Sequence, residues 1–68
     1  MISILCVDDH PVVLDGLSAI IAMQPEMNLA ATAANGEKAL KAFREHKPDV
    51  TIVDLRLPDM SGFELIKT

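Results

Sequence analysis

The sequence predicts an α/β protein built on a parallel β-sheet, and three observations lead there. Short apolar runs at residues 2–7, 27–33 and 50–54 alternate with two stretches of helical periodicity. Each stretch is bounded by helix start and stop signals rather than by a tight hairpin turn. The first and third runs both finish in carboxylates, Asp8-Asp9 and Asp54, although they lie far apart in the chain. A β-α-β-α-β order implies right-handed crossovers, which place the C-terminal ends of the strands on one edge.

Residues 2–7, "ISILCV", are short, apolar and bounded by Asp-Asp-His-Pro, which fits a strand buried on both faces. Pro11 suits the first turn of a helix, in which Val13, Leu17, Ile20 and Ile21 recur at helical spacing through Met23 until Gln24-Pro25 supplies the stop. Gly16 within it costs about 1 kcal/mol relative to alanine and is read as close packing or simple tolerance. Residues 27–33, "MNLAATA", are a weaker strand signal, since alanine has low strand propensity, and the context decides for strand. Asn35-Gly36 starts a second helix with Glu37 in its first turn. Ala39, Leu40 and Phe43 form its apolar side, Lys38, Lys41 and Glu45 its wet face, and "HKPD" its end. "VTIVD", residues 50–54, is the clearest strand, being rich in β-branched residues. Ser61-Gly62 opens a third helical pattern with Phe63 and Ile66 three apart.

Sixty-eight residues make at most one small domain. A chain of this length buries only about 60% of the surface its unfolded form exposes, so its core is marginal. One cysteine cannot form an internal disulfide, and no Cys/His spacing matches a structural zinc site. Cys6, inside an apolar run, reads as a buried core thiol. No window approaches the roughly 20 apolar residues that span a bilayer, and no export signal is visible, so a cytoplasmic location is expected. Net charge is -4, with no basic cluster, no Trp or Tyr and two Phe. These residues therefore offer no footprint for a phosphate backbone and no platform for base stacking.

If the first and third strands are neighbours, Asp8, Asp9 and Asp54 converge in the crevice where open α/β sheets bind ligands. Three such charges either hold a proton on one member or recruit a cation. Mg2+ fits, because it takes oxygen ligands, keeps several waters and is held by one or two carboxylates together with phosphate oxygens. One carboxylate can then act as a nucleophile toward a phosphoryl group. The competing reading is that strand-end acids are solvated loop residues. His10, beside the acidic pair, reads as an exposed loop histidine with tuning of the site as the alternative, His46 as an exposed loop histidine, and the Arg56 side chain as either an anion partner or solvated.

"CVDDHPVVLDGL", residues 6–17, and "DLRLPDMSG", residues 54–62, with Asp54, Pro58 and Gly62 spaced by four and four, resemble the receiver domain of two-component response regulators. His10-Pro11 and Gly16-Leu17 look most like the subfamily whose receivers precede a LuxR-type helix-turn-helix, as in the NarL and FixJ regulators. The resemblance implies a flavodoxin-like, CheY-like doubly wound sheet of order 2-1-3-4-5. It implies that Asp54 accepts a phosphoryl group from a sensor histidine kinase. Asp9 and Asp54 would hold Mg2+ together with the backbone carbonyl of Arg56, with Asp8 acting through water or orientation. Pro58 would shape the loop, and Gly62 would let the third helix start close to it.

The family's domain runs to about 120 residues, an ordinary domain size. Residues 1–68 therefore match its N-terminal half, β1-α1-β2-α2-β3 plus the start of α3. By the same resemblance, the other half would bring a Ser or Thr and a Lys to the site, and a separate output domain would contact DNA. Phosphotransfer and DNA binding by these residues alone are accordingly not expected. With order 2-1-3, "VTIVD" would be an exposed apolar edge, from which a non-signalling homodimer follows as the alternative function. A third class, an aspartyl-phosphate hydrolase, usually carries a second Asp two positions after its nucleophile, where this sequence has Arg56.

Overall fold

The computed structural model describes residues 1–54. The third helical pattern, with Arg56, Pro58 and Gly62, lies outside the described residues. The elements are β1 (Ile2–Val7), α1 (Pro11–Ala22), β2 (Met27–Ala33), α2 (Gly36–His46) and β3 (Val50–Val53). All strands run parallel in the order β2-β1-β3, so the sheet and its central strand match the expectation.

β1 is central because it carries the longest run of fully buried apolar residues among the strands. Ile4, Leu5, Cys6 and Val7 are 3%, 1%, 0% and 1% exposed. Their alternation splits the core between the two faces. Leu5 and Val7 pack with Ala33, Ala39, Leu40 and Val53 under α2, whereas Ile4 and Cys6 pack with Ile21, Leu14, Leu17 and Leu29 under α1. The alanines that weaken β2 as a strand on propensity let α2 approach closely, so tertiary packing overrides that preference. β2 meets β1 with one irregularity in register, between Ile4 and Leu5.

Helix α1 has Pro11 at its first turn, where a missing N–H is harmless, and His10 as its N-cap residue, whose side chain makes no capping bond. Asn35 caps α2 by accepting from the Lys38 N–H at 2.8 Å. Lys47 ends α2 in the left-handed region, φ 45°, and donates its N–H to the Phe43 carbonyl at 2.8 Å. Asp49 then fastens the chain to β1 twice. Its N–H donates to the Ser3 carbonyl and its carboxylate accepts from the Ser3 N–H, both at 2.8 Å.

Three sequence assignments need correction. Val13 and Ile20, grouped with the buried side of α1, are 42% and 59% exposed. The buried stripe is Leu14, Leu17 and Ile21, and at 100° per residue Val13 and Ile20 stand roughly 70–90° around the helix from its centre. Phe43 is half exposed, because Leu40 and Ala42 supply the contacts to the core. Of the two readings of Gly16, close packing and simple tolerance, the structure supports tolerance, since a Cβ there would meet nothing within 4 Å.

Candidate functional site

The carboxylates are positioned by the ends of the backbone ladder. The Asp8 N–H donates to the Ala33 carbonyl at 3.0 Å, extending the β1–β2 pairing by one residue. The Asp54 N–H donates to the Val7 carbonyl at 2.9 Å, which does the same for β1–β3. Two strands that share β1 as a neighbour thus deliver Asp8 and Asp54 to one edge, with Asp9 following at the turn into α1. Convergence of the three acids is what parallel topology demands of strand-end residues.

His10 completes the cluster. Its Nδ1 lies 2.7 Å from Asp8 Oδ1, 2.9 Å from Asp9 Oδ1 and 3.9 Å from Asp54 Oδ2. Its backbone N–H donates to the same Asp8 oxygen at 2.9 Å. The ligand atoms of Asp8, Asp9, His10 and Asp54 all fall within 4.8 Å of one another. Side-chain exposure rises from 14% at Asp8 and 22% at Asp54 to 33% at Asp9 and 65% at His10. The site is a shallow acidic cup with an imidazole across its mouth. Beside it opens a cleft of about 190 Å³, lined by Asp9, Pro11, Asp15, Ser18 and Thr32 among others.

The electrostatics follow from these distances. His10 is held more basic than an ordinary histidine, first by its hydrogen bond to Asp8 and then by the charges of Asp9 and Asp8, with Asp54 adding a smaller share; partial burial opposes them. For Asp8, desolvation pushes the carboxyl up, but the His10 side-chain and backbone hydrogen bonds and its charge together outweigh that, leaving it below the usual carboxylate value. Burial raises the Cys6 thiol, in keeping with a core residue.

Of the residues singled out from sequence, Asp8, Asp9 and Asp54 are brought together. Arg56, Pro58 and Gly62 lie outside the described residues. Both readings of His10 hold in part: its ring is exposed, as in a loop histidine, and it bridges two of the acids, where it can tune the site. The available signal was its place between Asp-Asp and Pro11: a helix starting at residue 11 turns the chain so that position 10 folds back over the acids. His46, at the end of α2, is no part of the cluster.

The chain matches the response regulator receiver domain over residues 4–68. It is 34% identical over 64 residues to the nitrate/nitrite response regulator protein NarL of Escherichia coli (strain K12), covering 94% of this chain and 30% of that protein. It is 42% identical over 64 residues to a protein-glutamate methylesterase/protein-glutamine glutaminase of Nitrosospira multiformis, covering 94% of this chain and 18% of that protein. The response regulator domain of Thermotoga maritima CheB superposes with a TM-score of 0.95 at 36% identity, covering 98% of this chain and 50% of that one. The receiver domain of a NarL-type regulator from Mycobacterium tuberculosis superposes with a TM-score of 0.89 at 30% identity, covering 94% and 52%. The chain therefore spans less than a third of these curated relatives and about half of these receiver structures. A parallel β2-β1-β3 sheet with acids gathered at its C-terminal edge, and a family match across nearly every residue, lead to one conclusion: this chain belongs to the response regulator receiver domain family.

Proposed function

We propose that this chain is the phosphoacceptor part of a two-component response regulator that controls transcription, with Asp54 as the acceptor. The observation that carries the reading is the convergence of Asp8, Asp9 and Asp54 within 4.8 Å at the sheet edge. In the proposed step, an Asp54 carboxylate oxygen attacks the phosphorus of a phosphohistidine on a sensor histidine kinase. The O–P bond of an acyl phosphate forms as the P–N bond breaks, and the departing imidazole takes up a proton. The site works as an acceptor for its kinase, not as an enzyme with a turnover substrate of its own.

The donor set suits a hard divalent cation: three carboxylates lie close together and part-exposed, with room for retained waters. Asp9 and Asp54 would hold Mg2+ directly, with the Arg56 carbonyl, while Asp8 would orient the shell. Bound there, the ion offsets the negative charge that a phosphoryl group brings to an already acidic cup. His10 occupies the same carboxylate oxygens, so its ring must swing aside when a cation enters; its 65% exposure leaves it room to do so.

Transcription as the output is supported by the Asp-Asp-His-Pro and Gly-Leu pattern and by relatives named as regulatory proteins, among them NarL and the oxygen regulatory protein NreC of Staphylococcus haemolyticus. DNA contact would belong to a LuxR-type output domain. Among the described residues no helix is long and apolar enough to cross a membrane, which suits a cytoplasmic regulator. The test is intact mass after incubation with Mg2+ and a small-molecule phosphoryl donor, set beside Asp54→Asn. Gain of one phosphoryl group that Asp54→Asn abolishes supports the reading. An equal gain in Asp54→Asn, or no gain in a protein of full receiver length, overturns it.

A further inference from the structure

His10 sets one nitrogen against three carboxylates. Its Nδ1 stands 2.7 Å from Asp8 Oδ1, 2.9 Å from Asp9 Oδ1 and 3.9 Å from Asp54 Oδ2, and the four ligand atoms all lie within 4.8 Å of one another. The backbone holds the residue there. His10 is the extended N-cap residue of α1 (φ -105°, ψ 108°), its N–H donates to Asp8 Oδ1 at 2.9 Å, and the ring of Pro11 fixes the next φ. The imidazole therefore reaches the acids from a fixed pivot.

Hard and borderline cations use such a donor set differently. Mg2+ takes oxygens, keeps several waters and gains nothing from an imidazole, so for Mg2+ the ring swings aside. Divalent first-row transition ions such as Zn2+ bind imidazole well alongside carboxylates. Their bonds to N and O are about 2.0–2.2 Å, so two ligand atoms on one ion stand about 3.0–3.4 Å apart when adjacent and about 4.2 Å apart when opposite. The separations of 2.7, 2.9 and 3.9 Å around Nδ1 fall near these values, and shifts of roughly 0.6 Å or less admit an ion among the four atoms.

We propose that His10 makes this a site for divalent transition ions: Nδ1 ligates Zn2+ together with Asp9 and Asp54, while Asp8, engaged by the His10 backbone N–H, orients the shell. The proposal rests on the cation site proposed for Mg2+ and names the residue that sets which cation it prefers. Ligated through Nδ1, the ring stays across the mouth of the cup, in the way of a phosphoryl group approaching Asp54. Zn2+ thus closes the site that Mg2+ prepares for phosphorylation.

The test is calorimetric titration of the chain with Zn2+ and with Mg2+, beside His10→Ala, Asp54→Asn and His46→Ala, in mildly alkaline buffer. His10→Ala should weaken Zn2+ binding by about tenfold or more, since even groups that only support a metal ligand are worth about 10–100-fold, and it should not weaken Mg2+ binding. Asp54→Asn should weaken both ions. His46→Ala, outside the cluster, should change neither, and Cys6, 0% exposed, does not compete for the ion. Nitrogen NMR of His46→Ala, in which His10 is the sole histidine, reads the ligand directly: Nδ1 should take the shift of a metal-bound nitrogen in Zn2+ and not in Mg2+. Equal Zn2+ affinity with and without the His10 ring, or an Nδ1 signal unmoved at saturating Zn2+, overturns the proposal and leaves the Mg2+ site standing. Equal weakening of both ions in His10→Ala also overturns it, since the ring would then only arrange the acids. Binding of both ions that ignores Asp54→Asn overturns the cation site itself. Should His10→Ala fail to fold, the Nδ1 signal decides.

Discussion

Neutralising Asp54 should stabilise the cation-free protein. Asp54→Asn keeps the shape of the side chain and removes one negative charge from a cup in which Asp8 and Asp9 offer oxygens within 4.8 Å. Even at the dielectric constant of water, two unit charges at that distance repel by about 0.9 kcal/mol, so two neighbours amount to nearly 2 kcal/mol. The lost attraction to His10, whose Nδ1 is 3.9 Å from Asp54, offsets part of this when the ring is protonated. The net expectation is a gain of about 1 kcal/mol, or a rise of about 4–8 °C in Tm for a domain of this size. The gain should grow as pH rises and His10 loses its proton. The assay is a thermal melt followed by circular dichroism, in EDTA and in Mg2+. The wild type should gain about 1.4 kcal/mol when Mg2+ is ten times its Kd, and Asp54→Asn should gain far less. Asp15→Asn, outside the cluster, is the control and should stay within about 0.5 kcal/mol. A lower Tm for Asp54→Asn in EDTA would refute the view that the acids repel one another in the folded chain.

His10, observed by NMR without Mg2+, should titrate above the ordinary 6.5, and Asp8→Asn should bring it back toward that value. Because its folded pKa is raised, its contribution to stability is complete below the ordinary pKa and is lost as pH climbs through the folded value. Asp8, held below its ordinary 3.8, contributes in the opposite sense: present above that value, lost as acid takes pH down through the folded one. Mg2+ should lower the His10 midpoint, and an unchanged midpoint at saturating Mg2+ would mean that the ion does not share oxygens with the ring. Asn35→Ala removes the α2 cap and should cost about 1 kcal/mol in urea unfolding, with the Mg2+ response intact. Leu5→Ala, at a site 1% exposed, should cost about 2–5 kcal/mol, a large share of the stability of so small a chain; circular dichroism at 25 °C will show whether it remains folded.

How far the site was legible depended on the kind of residue. Asp8, Asp9 and Asp54 could be read because each ends an apolar run, and parallel topology turns that local fact into a shared edge. The bridging role of His10 was harder to read, because nothing in composition says which way a ring in a turn will point. Asp49 was read only as part of a helix stop, yet it clamps β3 to β1 through Ser3, forty-six positions away in the chain.

Local sequence by itself determined the elements and their order. The strand at 50–53 and the helices starting at Pro11 and Gly36 follow from β-branched composition, apolar period, proline placement and the Asn35 cap, which act over a few residues, whereas the alanine-rich strand at 27–33 needed its context. The tertiary structure decided what depends on neighbours distant in the chain. It made β1 the central strand, took Leu14, Leu17 and Ile21 rather than Val13 and Ile20 into the core, left Phe43 half in solvent, and set an imidazole between two carboxylates. The physical reason is one of range. Capping and periodicity are satisfied within a turn or two of the chain, whereas burial and charge pairing are settled only by which other element arrives at the same place.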